Sequence, residues 1–85
     1  MKLLSRRMLA ELQTLEGSVA ELATHRGAAL RLFRASRQTT TLDAQREFWL
    51  EFSWLDLEYR AAVRQLAVFC ERYRGLLGER WSARV

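Results

Sequence analysis

The chain has 85 residues, 49% apolar and 28% charged, with one cysteine, no proline and a formal net charge of +4. That length fits one small domain over residues 1–85, whose core lies near the lower limit of independent stability. The apolar share excludes a disordered chain, a lone cysteine excludes an internal disulfide, and without proline nothing interrupts a long helix.

The chain opens Met1-Lys2-Leu3-Leu4-Ser5-Arg6-Arg7, but Glu11, Gln13 and Glu16 follow where a secretion signal would have an apolar stretch. No apolar run approaches the roughly 20 residues that span a bilayer. Cys70, beside Phe69, reads as a small core hydrophobe, which suits a reducing cytoplasm.

A first helix is predicted from about residue 3 to residue 36. Its ladder of Met1, Ser5, Met8, Leu12, Leu15, Val19, Leu22, Arg26, Ala29 and Phe33 alternates steps of three and four, with Ser5 and Arg26 the polar rungs. Gly17 and Gly27 are possible break points, and Ser18 with Glu21 makes a capping pattern just after Gly17. The ladder keeps phase through Leu15, Val19 and Leu22, so a continuous helix is expected. Ser36 to Thr41 is the turn, with Thr40 as N-cap and Asp43 in the first turn of the next helix.

The second helix is predicted over about residues 42–77, stopped by Gly78. Its ladder is Phe48, Phe52, Leu55, Tyr59, Ala62, Leu66, Phe69, Tyr73 and Leu76. Folding back at Thr40/Thr41 sets Phe33 by Phe48, Ala29 by Phe52, Leu22 by Tyr59, Leu12 by Phe69 and Met8 by Tyr73. The fold class is therefore all-α, an antiparallel αα-hairpin with a coiled-coil-like seam. Charges fit that register: Arg31, Arg34 and Arg37 precede the turn, Asp43, Glu47 and Glu51 follow it, and Glu21 is expected near Arg60 and Glu16 near Arg64.

The second helix carries more than one apolar stripe. Leu50, Trp54, Leu57, Ala61 and Val68 fall on nearly the opposite side from the seam, with Glu47, Glu51 and Glu58 along one flank. A hairpin covers only one of these faces. The other is expected to bind a protein partner or a second copy of the chain, completing a helical bundle, unless a first helix broken at Gly17 wraps it.

Catalytic chemistry has no signature. His25 is the only histidine and stands in no catalytic arrangement, one histidine and one cysteine make no metal site, and the glycines form no phosphate-cradling motif. The chain reads as a non-enzyme without cofactor or metal. Its basic excess raises a nucleic-acid alternative, a homodimeric helical regulator contacting phosphates through Arg26, Arg31, Arg34 and Arg37.

In outline, this short, proline-free, cysteine-poor hairpin with a surplus apolar face resembles the small helical-hairpin co-chaperones of bacterial type III secretion and flagellar export. It is also similar to subunits of the homodimeric four-helix bundles found among small phage and bacterial regulators. The likeness lies in architecture and composition across the whole hairpin and carries over no individual residue. It implies a chaperone-like adaptor that acts by packing helices against a client or a sister subunit.

Overall fold

A computed structural model describes residues 5–77 of the chain. Two long helices, α1 (Arg6–Thr39) and α2 (Leu42–Arg72), pack against each other, and a last single turn, α3 (Arg74–Leu77), follows. The all-α hairpin expected from the two ladders is the observed fold.

α1 begins three residues later than expected because Ser5 is its N-cap, its hydroxyl oxygen accepting a hydrogen bond from the Met8 N–H at 3.2 Å. It passes through Gly17 and Gly27 without a break and runs on to Thr39, three residues past the expected end. Ser36 was expected to open the turn and is instead a buried helical residue. Its hydroxyl donates to the Phe33 carbonyl at 2.7 Å, and its own carbonyl accepts the Thr40 N–H at 3.1 Å and the Thr40 hydroxyl at 2.7 Å. These local bonds satisfy a polar side chain at low exposure.

Only Thr40 and Thr41 lie outside the two helices at the turn. The N-cap of α2 is Thr41, not Thr40 as expected; its hydroxyl oxygen accepts the Ala44 N–H at 3.3 Å, with Asp43 in the first turn. Thr40 closes α1 instead. The second helix is also shorter than the expected 42–77, since α2 ends at Arg72, with Tyr73 (φ −109°, ψ 25°) as its C-cap, before the turn of α3. Gly78, expected to stop it, lies outside the described residues, as do Met1 and Leu3.

The seam follows the expected register. From Met8 to Phe33 on α1 and from Phe48 to Tyr73 on α2, every rung is buried or half-buried. Leu12, Phe69 and Cys70 form the core near the open end, with Met8, Leu15, Leu66 and Tyr73 packed around them. The Phe69 and Tyr73 rings lie 4.7 Å apart. At the turn end the Phe33 ring meets Trp49, next to the expected Phe48, with ring centroids 5.2 Å apart, and Trp49 in turn lies 5.6 Å from Phe52.

Midway, Arg26 occupies its rung as a paired charge. Its Nε donates to Asp56 Oδ1 at 2.7 Å, and its guanidinium lies 5.4 Å from the Phe52 ring centroid and 5.3 Å from that of Tyr59. Arg60 Nε reaches the other Asp56 oxygen at 3.1 Å. This displaces the expected cross-helix pairs: Glu21 turns to His25 on its own helix at 3.7 Å, leaving Arg60 to Asp56, and Glu16 forms no ion pair with Arg64. Neighbours on one helix reach each other at lower cost in side-chain order than partners across the seam.

Candidate functional site

A hairpin measuring 59 × 22 × 14 Å is one helix layer thick, so each helix can bury only the face turned to its neighbour. On α2 that face is the seam. The opposite stripe is open: Leu50 is 66% exposed, Trp54 64%, Leu57 62% and Val68 54%, and Ala61 is exposed among them. All the residues expected to bind a partner thus share one accessible helix face. With α1 continuous through Gly17, no part of α1 wraps round to cover it.

The rims of the stripe are charged. Exposed Glu47, Glu51 and Glu58 follow one flank, and Arg46, Arg60 and Arg64 the other. Three further apolar side chains are exposed near the turn. Leu42 is exposed, Trp49 is half covered by its contact with Phe33, and Leu32 of α1 is also exposed. Sequence periodicity did not single out Leu42, because it stands at a helix end, off the axis of the stripe. Trp49 carried a mixed signal, since its position lies between the two apolar faces.

Towards the open end the stripe borders a groove between the two helices. This groove, of about 460 Å³, lies between Glu11 and Leu15 of α1 and Ala61, Arg64, Val68 and Arg72 of α2. Ala61 and Val68 therefore belong to both stripe and groove. A groove between two helices depends on both chains of residues at once, and no pattern within either helix announces it.

The four arginines considered for nucleic acid separate into two groups. Arg26 is held inside the hairpin by Asp56 and the two rings. Arg31, Arg34 and Arg37 are exposed near the turn, form no ion pair with Asp43, Glu47 or Glu51, and two of them, with Gln38, line a shallow depression.

Cys70 is buried in the core, and burial, reinforced by the negative charge of Glu16, pushes its thiol pKa up, which disfavours the reactive thiolate. His25 is exposed beside Glu21. Among the described residues no three metal-ligating side chains come together, and no helix is long and apolar enough to cross a membrane. The chain matches no protein-family model, and neither curated proteins nor solved structures include a significant match.

Proposed function

We propose that this protein is a non-enzymatic interaction module that acts by packing the outer face of α2 against another helical surface. The observation that carries this reading is the joint exposure of Leu50, Trp54 and Leu57 on one face of a helix whose other face already closes the hairpin. Burying one such side chain contributes about 1.5 to 3 kcal/mol, so a few of them supply much of a useful affinity. The partner is another protein or a second copy of the chain. A small co-chaperone, adaptor or regulator of the reducing cytoplasm fits the architecture, in keeping with the resemblance to bacterial export co-chaperones.

The test is Trp54→Glu. Because Trp54 is exposed, the variant should keep the helicity of the wild type while losing self-association, measured by light scattering, or the capture of partners from a native lysate. A variant that matches the wild type in both assays would overturn the reading. A second reading, phosphate contact by Arg31, Arg34 and Arg37, draws on their exposure and lack of acidic partners at the turn. Salt-titrated binding decides it, since phosphate contacts weaken steeply with salt, and no binding at low salt removes it.

A further inference from the structure

The outer face of α2 has two unlike halves. Leu50, Trp54 and Leu57 project from the half nearer the turn, while Ala61, Arg64, Val68 and Arg72 line the groove of the other half. The halves are arranged symmetrically about the level of Tyr59: Leu50 and Val68 stand nine residues either side of it, Trp54 and Arg64 five, and Leu57 and Ala61 two. Such a face complements itself when reversed. Resting on the interaction reading above, we infer that the occupant of this face is a second copy of the chain, docked antiparallel through α2 about a two-fold axis at the level of Tyr59.

In that arrangement Leu50 of each copy meets Val68 of the other, and Leu57 meets Ala61. Trp54 enters the groove beside Arg64, where a guanidinium against an indole face is attractive. The interface is isologous, so each contact occurs twice. Charges at the ends of the stripe favour the same orientation. Glu47 and Arg72 lie on one flank, twelve and thirteen residues from Tyr59, and Arg46 and Glu71 on the other, thirteen and twelve away. Antiparallel helices bring like flanks together, so Glu47 faces Arg72 and Arg46 faces Glu71. A parallel pair would set Leu50 against Leu50, leaving the groove of each copy unfilled.

The size is adequate. The outer face of α2 is the edge of the hairpin, 59 × 14 Å, close to the roughly 800 Å² per partner of a stable interface. Like charges oppose the pair close to the axis, where the two copies of Glu58 meet on one flank and those of Arg60 on the other, so Glu58→Gln should tighten association, by about two-fold.

Disulfide trapping tests the register. In a Cys70→Ala background, chains carrying Leu50→Cys are mixed with chains carrying Val68→Cys under mild oxidation. Cross-linked species of twice the chain mass should form in the mixture and not in either variant alone. A doubly substituted chain should also cross-link only between molecules, because the two positions lie about 27 Å apart along one helix. Self-linking of Leu50→Cys alone would show a parallel pair and overturn the inference. A wild type that sediments as a monomer at about 100 µM, well above the Kd of a typical stable pair, would also overturn it. If that monomer still captured another protein in a Trp54-dependent way, the interaction reading would stand and only the second copy would be excluded.

Discussion

Asp56 is the residue on which the middle of the hairpin turns. Its carboxylate accepts from Arg26 across the seam and from Arg60 one turn along its own helix, with only 16% of its side chain exposed. Arg26 could not occupy an apolar seam without that partner and the faces of Phe52 and Tyr59, because a half-buried charge left unpaired is costly. Asp56→Ala should therefore destabilise the hairpin by about 1 to 3 kcal/mol in urea unfolding, more than an exposed surface pair would contribute. Cys70 acts differently. Its raised pKa means that the folded chain keeps the thiol proton to higher pH than the unfolded chain. The unfolded state loses that proton first, so stability should fall as pH rises through about 8.5. Urea midpoints at neutral pH and above that range should separate more for the wild type than for Cys70→Ala.

At the scale of elements, α1 shows how far hydrophobic spacing reaches. Gly17 sits in an exposed stretch of helix where an added methyl group would meet nothing within 4 Å, so the glycine only weakens the helix. Gly17→Ala should stabilise by about 0.5 to 1 kcal/mol and raise the melting temperature by a few degrees. The existence of both helices, their register and the reversal at Thr40/Thr41 were legible because the steps of three and four persist across about seven turns of each helix. Helix ends were less legible. Ser5, Ser36, Thr40 and Thr41 all carry hydroxyls able to cap, and their backbone geometry decides which of them does. The outer stripe was legible for the same reason as the seam, as a second period on one helix. The Arg26–Asp56 pair and the groove at Val68 were not, because each arises only when particular positions of two helices meet.

At the scale of the molecule, a single layer of two helices leaves a small core. Leu12, Ala29, Ala62, Phe69 and Cys70 are the buried apolar residues among those described, while Leu50, Trp54, Leu57 and Val68 remain in water. Domains of this size commonly gain stability by associating, and a second layer on α2 would bury those four side chains at once. Association also makes stability depend on concentration, so the melting temperature of the wild type should rise on concentrating the protein. The most direct measurement is the molar mass by light scattering of wild type and Trp54→Glu at matched micromolar concentration, with circular dichroism to verify folding. The wild type should show twice the chain mass and the variant the mass of one chain at equal helicity. A wild type of single-chain mass, indistinguishable from the variant, would contradict the account.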